Sequence, residues 1–529
     1  MIRRAVPHRV AALAVRYLAR VGFLLLAMAL GAAIVRFQVV DPQLRPLRLA
    51  ALAIGLALGA WRVRYGILFL VVSAPLLGVI PRIAGVADLS LPEHVLVPLL
   101  VCGGVHWLWV RTARPQTAVD APLAVYLALV ALSAGRALWQ YWDLGLPLWD
   151  IAAPQLNRHF SFAIWDYTKG PFLVVHYSIV AVEGALWFAL LTASGTRLRA
   201  GSLRAALILS AIVVALGGVA QSIWHTGLVP FFERMQPGLS RINSTLPDPN
   251  TLGSFLVLLF PLGLVAAVSR ARGRWLAIGW TGLLGYCLVR SVSRSAWVGA
   301  GTAALATAVL AGWRAEVLGI ELPDRLTRWV RRAVVLAIPT AVGAVLLVSL
   351  GVVGWKVSYG SARSPLDMVV FTLDVRRPMN ELMPSRADHW EAAIKIWEDF
   401  PLFGAGVGKY VLLKNRYLPE ARQRWLFFCE AHNYYLKILS ELGVVGLIAF
   451  VVVLGSIGVQ VRRGWQASDL AGRRRVAALA LGLLGFLVTS FSQDPLTLRE
   501  MQYIFWAVVA LLVLETREAT GARTCGQQP

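Results

Sequence analysis

Apolar stretches of about 20 residues, repeated along nearly the whole chain, decide what this sequence can fold into. They run near 21–40, 47–61, 65–81, 93–110, 119–139, 171–193, 203–224, 251–269, 275–290, 294–313, 333–354, 433–460, 476–491 and 501–514, about fourteen in all. Two of them, 47–61 and 501–514, are short for a span. In hydrocarbon every backbone N–H and C=O must find its partner within the protein, so spanning segments are helices or the strands of a closed barrel. A barrel would alternate apolar and polar residues with a period of two, and these runs do not. The expectation is an all-α, polytopic membrane bundle of about 12–14 transmembrane helices.

Composition agrees. Apolar residues make up 58% and charged residues 15% of the 529, with a mean hydropathy of +0.65. A typical soluble domain carries about 25% charged residues, so a string of soluble domains is excluded. Lys and Arg number 51 against 28 Asp and Glu, a net charge of +23, and only six of the basic residues are Lys. No nucleic-acid motif accompanies that excess, which is assigned to the positive-inside rule and to an Ala/Gly/Val/Arg-rich composition. Cys102, Cys287, Cys429 and Cys525 form no CxxC pair and no disulfide framework. The basic start, Met1 to Arg20, leads into an apolar run without a small-residue cleavage site, so an uncleaved first span is expected.

Orientation follows from the short loops. The N-terminus carries Arg3, Arg4, Arg9, Arg16 and Arg20, and every second loop is again basic: Arg62/Arg64, Arg111/Arg114, Arg197/Arg199/Arg204, Arg270/Arg272/Arg274, Arg314 to Arg332, and Arg462/Arg463 with Arg473–Arg475. Both termini are therefore expected in the cytoplasm. Trp107, Trp109, Trp139, Trp142, Trp275, Trp297 and Trp313 lie near span ends, as in an aromatic belt. Three longer segments fall on the outer face: 140–170, 225–250 and 355–432. The expected organisation is a bundle of about eleven spans over 1–354, a large outer loop over 355–432, further spans over 433–514 and a cytoplasmic tail over 515–529.

Four outer-face patterns carry polar chemistry. The first is Ser240-Arg241-Ile242-Asn243-Ser244-Thr245 followed by Pro247-Asp248-Pro249-Asn250. The prolines set an extended approach, and Asn250 or Thr251 is placed to cap the next helix. Arg241 is either an interfacial arginine or a ligand for an anion. The second pattern is Arg290-Ser291-Val292-Ser293-Arg294-Ser295-Ala296-Trp297. Four residues apart, Arg290 and Arg294 would share one face of a helical end, where two guanidiniums repel unless an anion separates them.

The third pattern is Arg386-Ala387-Asp388-His389-Trp390, leading through Trp397 to Pro401-Leu402-Phe403-Gly404-Ala405-Gly406-Val407-Gly408. Helical spacing of Trp390, Ile394 and Trp397 predicts an ordered helix over 386–400. The glycines imitate a phosphate loop, but no Lys-Ser/Thr follows them, so they are expected to make a tight turn back toward the membrane. The fourth pattern is Glu430-Ala431-His432-Asn433-Tyr434-Tyr435-Leu436, continuing to Glu441-Leu442-Gly443 and Gly446. His432 is either a cap or the side chain best suited to be a general base near neutral pH.

In this order these patterns resemble the O-antigen ligase and O-antigen polymerase superfamily. The resemblance rests on Pro247-Asp248-Pro249-Asn250, Ser293-Arg294-Ser295-Ala296-Trp297, Arg386…Trp390…Pro401-x-x-Gly-x-Gly-x-Gly408, and Ala431-His432-Asn433-x-Tyr435-Leu436…Glu441-x-Gly443-x-x-Gly446. It covers roughly 240–450; the first 200 residues match only as a run of spans.

The resemblance implies a bacterial inner-membrane enzyme working on its periplasmic face. It would move a glycan from undecaprenyl diphosphate to a sugar acceptor, lipid A–core for a ligase, without cofactor, metal or nucleotide. In that setting Arg290, Arg294 and Arg386 would hold the diphosphate and His432 would take the acceptor proton, with Glu430, Asp388 or His389 as alternative bases. Arg241, Asn250, Asn433, His389 and Glu430 would contact diphosphate or glycan. Membrane lipid is the surrounding partner, and nucleic acid is not one. A polymerase joining repeat units is the alternative, and a count near fourteen spans leans that way. A transporter of an anion or a lipid-linked sugar would instead need charge at mid-membrane, where Glu183 and Arg136 are the few candidates. A passive scaffold would tolerate substitution of Arg294 and His432.

Overall fold

The structure, a computed structural model, describes residues 5–38, 45–78, 91–110, 116–142, 171–224, 241–269, 273–318, 386–420 and 430–526, together with Arg328 and Arg332. Among the described residues every regular element is helical. The long helices are α1 (Ala5–Gln38), α2 (Arg45–Leu77), α3 (Pro92–Val110), α4 (Asp120–Trp142), α5 (Phe172–Thr192), α6 (Ala200–Trp224) and α7 (Pro249–Val268). They continue with α8 (Arg274–Ser291), α9 (Arg294–Trp313), α10 (Arg386–Asp399), α11 (Tyr434–Ala467), α12 (Leu470–Thr489) and α13 (Arg499–Gly526). Thirteen of the fourteen apolar runs coincide with these helices; the run at 333–354 lies outside the described residues, as do 143–170, 225–240 and 355–385. Seven described helices are long and apolar enough to cross a membrane.

Two runs, 47–61 and 65–81, meet in α2 without a loop between them. Arg62 is extended (φ −158°, ψ 112°), and the packing reverses there. Gly55 faces Val95 and Gly59 faces Cys102, whereas beyond Arg62 it is Val63 that faces Gly103 and Gly66 that faces Leu99. The chain therefore runs along α3 in one direction and returns along it in the other. The pair of arginines expected in a loop stands at this reversal.

At the centre lies α13. Met501 and Tyr503 through Leu514 are all buried, against α5, α11 and α6. A helix apolar all round belongs in the middle of a bundle rather than against lipid. Its apolar part, 501–514, is bracketed by Glu500 and Glu515. Glu515 accepts hydrogen bonds from Arg204 of α6 and, at 2.8 Å, from Arg475 of α12. At the other end Arg499 pairs with Glu93 of α3, and Tyr503 donates to Glu183 of α5 at 3.1 Å.

A break in α11 shapes the face opposite the Glu515 cluster. Gly443 leaves helical geometry (φ 68°, ψ −168°), and the 401–408 turn is seated in the gap. Ala405 N–H donates to Ser440 O and Gly406 N–H to Glu441 O, both at 2.9 Å. In return Val444 N–H donates to Pro401 O at 2.9 Å and Val445 N–H to Leu402 O at 3.1 Å. The groups freed by the break are thus paired again, as a low-dielectric interior requires. Gly404 and Gly443 both have φ between +65° and +68°, and a Cβ on either would collide with backbone of the other segment.

Gly443→Ala should therefore destabilise the protein, the left-handed φ alone costing about 1–2 kcal/mol. Gly455→Ala, later in the same helix with open space at its Cβ, should be neutral or stabilising. Thermal melts of the two purified variants in one detergent check this; equal melting temperatures would show that the break does not constrain α11.

Candidate functional site

Five segment ends meet on the side of the bundle away from Glu515: the 241–250 segment leading into α7, the α8–α9 turn, the start of α10, the start of α11 and the α12–α13 turn. Three of the four non-glycine residues with positive φ among the described residues lie here, Ser244 (54°), Val292 (49°) and His432 (50°). Left-handed backbone at a β-branched residue such as Val292 is a true outlier, and such strain concentrates at functional sites.

The first two segments are woven together by hydrogen bonds. Arg241 donates through Nε to Ser291 O and through a terminal nitrogen to Asn250 Oδ1, both at 2.9 Å. Ile242 N–H donates to Arg290 O at 3.2 Å. Gln221 of α6 bonds both Asn243 and Ser244, fixing the turn from the other side. The cap of α7 is Asp248, not Asn250 or Thr251: its carboxylate accepts from the backbone of both, at 2.7 and 3.2 Å. Asn250 is thereby left to orient Arg241.

Arg290 and Arg294 do not share a helical face. The left-handed Val292 ends α8, Ser293 is extended, and Arg294 opens α9. The i,i+4 spacing fails because the helix it presumes is interrupted between the two residues. Arg290 instead donates to Ser222 Oγ of α6 at 3.1 Å. Trp297 does not belong to the lipid belt in the way Trp109, Trp139 and Trp275 do, which are more than half exposed. Its indole N–H donates to Leu288 O at 2.8 Å and pins α9 to α8. One residue after Arg294, Ser295 Oγ accepts from Gln493 of the α12–α13 turn at 3.2 Å.

Arg386, the first residue of α10, reaches the same turn and donates to Ser492 Oγ. Arg386 and Ser295, the residue after Arg294, thus meet neighbouring residues of the α12–α13 turn. His389, one turn along α10, is buried; its Nδ1 lies 2.9 Å from the Tyr410 hydroxyl, and its ring meets that of His432 edge to face at 5.4 Å. Burial, then the charges of Arg386 and Lys414, push the His432 imidazole down to about 3. Burial lowers His389 too, followed by His432, Lys414 and Arg386. Two neutral imidazoles therefore stand beside two fixed cations. Across the turn, burial and the neighbouring Glu430 charge raise Asp494 to about 7, against the opposing pull of Lys437 and the His432 amide.

Behind His432 lies a buried ionic chain. Lys437 donates to Glu430 Oε2 at 2.7 Å and to Glu441 Oε1 at 3.0 Å, with its ammonium 4.0 Å from the Tyr177 ring centroid. Tyr177 donates to the other oxygen of Glu430. Glu430 is therefore held by a cation and a phenol, and Asn433 is the N-cap of α11, accepting from Tyr435 and Leu436 N–H at 3.1 and 3.0 Å. Of the nine candidate residues, Arg386, His389 and His432 come together directly. Arg241, Asn250 and Arg290 form a neighbouring cluster, and Arg294 opens the helix that follows the α8–α9 turn. Glu430 and Asn433 buttress the histidine from behind. Sequence reasoning missed Lys414, Lys437, Tyr177, Tyr410 and the Ser492–Asp494 turn. The one local signal was Ser490-Phe491-Ser492-Gln493-Asp494, a polar break between two apolar runs.

Fold and site define a polytopic helical membrane protein with a cation- and imidazole-lined site at one end. Residues 279–451 match the family model described as O-antigen ligase. The match covers about a third of the chain and supports a relation to the O-antigen ligase superfamily, whose members are glycosyltransferase-type enzymes. The match contains Arg290, Arg294, Arg386, His389, Glu430, His432 and Lys437; Arg241 and Asn250 precede it, and Ser492 and Asp494 follow it. No curated protein matches the chain.

Lys437→Met would leave Glu430 and Glu441 buried without their cation, a loss on the order of 3–5 kcal/mol. Its expected signature is a large fall in melting temperature, partly restored by adding Glu430→Gln. A Lys437→Met protein as stable as the parent would show that the ionic chain does not support the site.

Proposed function

We propose that the protein transfers a glycan from a lipid diphosphate to a sugar hydroxyl at the outer, periplasmic face of the bacterial inner membrane, with both termini in the cytoplasm. The observation that carries this reading is a half-buried, neutral His432 flanked by Arg386 and Lys414, within the stretch that matches the O-antigen ligase model. The donor's diphosphate needs fixed positive charge at headgroup depth, and guanidinium groups provide it with bidentate geometry at any pH. Arg294, Arg386 and Lys414 stabilise the negative charge that grows as the bond from the anomeric carbon to the phosphate oxygen breaks. His432 takes the proton from the acceptor hydroxyl as its oxygen bonds to the anomeric carbon. Undecaprenyl diphosphate leaves from the opposite face, so the anomeric centre is inverted.

The low basicity of His432 fits this sequence of events. Arg386 and Lys414 help to hold the imidazole unprotonated while the site waits for donor. A bound diphosphate offsets those charges, which raises the basicity of His432 when a base is wanted. The fixed cations also do the work a metal would otherwise do, and transfer should continue in the presence of a chelator. The preferred acceptor is lipid A–core, as for a ligase. The second reading is a polymerase joining repeat units, favoured by thirteen apolar runs already found as helices. Loss of a ligase leaves long chains on undecaprenyl diphosphate, whereas loss of a polymerase leaves single units on the core.

In vesicles containing lipid-linked glycan and acceptor, His432→Ala should lower the rate about 10²–10⁴-fold. Arg294→Ala and Arg386→Ala should each lower it about 10²–10³-fold. All three should insert and fold normally, and parental activity in any of them removes that residue from the site. Because the folded pKa of His432 lies below its ordinary value, the imidazole stays neutral as pH falls through 6.5 and protonates only near 3. The acid limb that it contributes to kcat/KM therefore lies well below 6.5. Lys414→Gln removes one depressing charge and should move that limb up by about one unit; an unmoved limb would assign the proton transfer elsewhere.

A further inference from the structure

At the end of the bundle opposite the site, a groove of about 810 Å³ opens between α6, α7, α8 and α12. Two helices fix its distance from the site. α7 leaves the site at Asn250 and reaches the groove at Leu262 to Ser269, and α12 runs from the groove at Ala471 back to the site turn after Thr489. Twenty residues of helix measure about 30 Å, the thickness of the hydrocarbon layer. The groove thus faces the other leaflet, on the side of the arginine-rich loops.

Its walls are apolar, among them Ile208, Ile212, Leu262 and Leu283, and its mouth carries Arg204, Arg474 and Arg475. Glu515 is the carboxylate that meets these arginines, and it serves both Arg204 and Arg475. The nearby Asp469 and Glu518 accept from the backbone amides of Gly472 and Ala200. Among the described residues Arg204 and Arg475 share Glu515, and Arg474 pairs with no carboxylate. Among the described residues two buried donors here have no hydrogen-bond partner, Nε of Arg474 and the indole Nε1 of Trp280, and both residues line the groove. Trp280 stands six residues into α8, about 9 Å deeper than the helix start. Buried donors left unpaired are costly, and such a group calls for an acceptor.

We propose that this groove binds an anionic phospholipid of the cytoplasmic leaflet. Its phosphate lies on Arg474 and the exposed sides of Arg204 and Arg475, an ester carbonyl accepts from Trp280, and an acyl chain lies between α6, α7 and α8. The charge excess selects an anionic headgroup over a zwitterionic one, as in other basic pockets between membrane helices. The two unpaired donors sit at the depths of phosphate and glycerol ester, and the apolar walls match the chain. The proposal is independent of glycosyl transfer.

The test is a thermal-shift and native mass titration of the full-length protein in detergent, with phosphatidylglycerol or phosphatidylcholine added. Phosphatidylglycerol should raise the melting temperature saturably and remain bound at about one lipid per chain, while phosphatidylcholine should do neither. Arg474→Gln should weaken phosphatidylglycerol binding about fivefold. Trp280→Phe, which keeps the apolar wall, should weaken it as well. Arg463→Gln, an exposed arginine at the same end of the bundle outside the groove, should leave binding unchanged. The proposal fails if both lipids act alike, or if Arg463→Gln matches Arg474→Gln, which would mean diffuse attraction to a basic surface. It also fails if the protein is a dimer whose groove no lipid enters.

Discussion

The site rests on backbone hydrogen bonds across the break in α11. A helix interrupted inside a membrane protein exposes carbonyls and amides that lipid cannot satisfy. Here the 401–406 backbone supplies partners on both sides of Gly443, so the turn and the helix can form only together. Seating the turn fixes the first two turns of α11, with Asn433 at the cap and Lys437 and Glu441 one turn apart. His432 immediately precedes that cap. Arg136 of α4 donates to Gly404 O in the same turn, which gives one of the two charges noted within the spans a structural partner. The position of the imidazole is therefore set by main-chain geometry that side-chain substitution around it cannot easily shift.

Charge is sorted into two layers around that histidine. Arg386 and Lys414 act on its ring, while Glu430, Glu441 and Asp494 gather around Lys437 behind it. Lys437 itself holds two of these carboxylates, Glu430 and Glu441. A second buried cluster, Glu93 with Arg499 and Glu183 with Tyr503, does different work. It joins α3 and α5 to the head of the central helix α13 and fixes that helix in register. Glu183 was the mid-membrane acid that a transporter would need; it is tied to this clamp rather than facing a passage.

Much of the architecture was legible because membrane spanning leaves a strong one-dimensional trace. The apolar runs mark helices almost one for one, and the four polar patterns mark the ends that converge. What was not legible depends on interruptions and on distant partners. Arg290 and Arg294 have the spacing of one helical face, and only the left-handed Val292 between them shows that they belong to two helices. Residues 433–460 make one apolar run, yet the glycine at 443 opens it where the 401–406 segment, about forty residues upstream, is seated. Lys437 looks like an anomaly in that run until Glu430 and Tyr177 are seen beside it. The Ser492–Asp494 turn lies sixty residues beyond the histidine, and nothing local connects them. The turn expected of the glycines at 404, 406 and 408 is present, and at 404 and 408 it answers a need the spacing does not show: close approach to the backbones of α11 and α5.

Strain at three turns then ties fold to chemistry. Ser244, Val292 and His432 each adopt a left-handed backbone that costs roughly 1–2 kcal/mol without glycine. Each is held by partners from another segment: Gln221 bonds Ser244, Trp297 and Arg241 grip the end of α8 beside Val292, and Tyr434 N–H bonds Ser490 and Gln493 beside His432. Such conformations persist only where the surroundings over-determine them. Every one of them lies within three residues of an arginine or histidine assigned to the site. A site free to relax would lose these angles first, and with them the approach of Arg386 to His432. On the proposed function, a site that keeps these angles would stand assembled before substrate arrives, with the cations and the neutral imidazole waiting in place instead of being gathered by the donor.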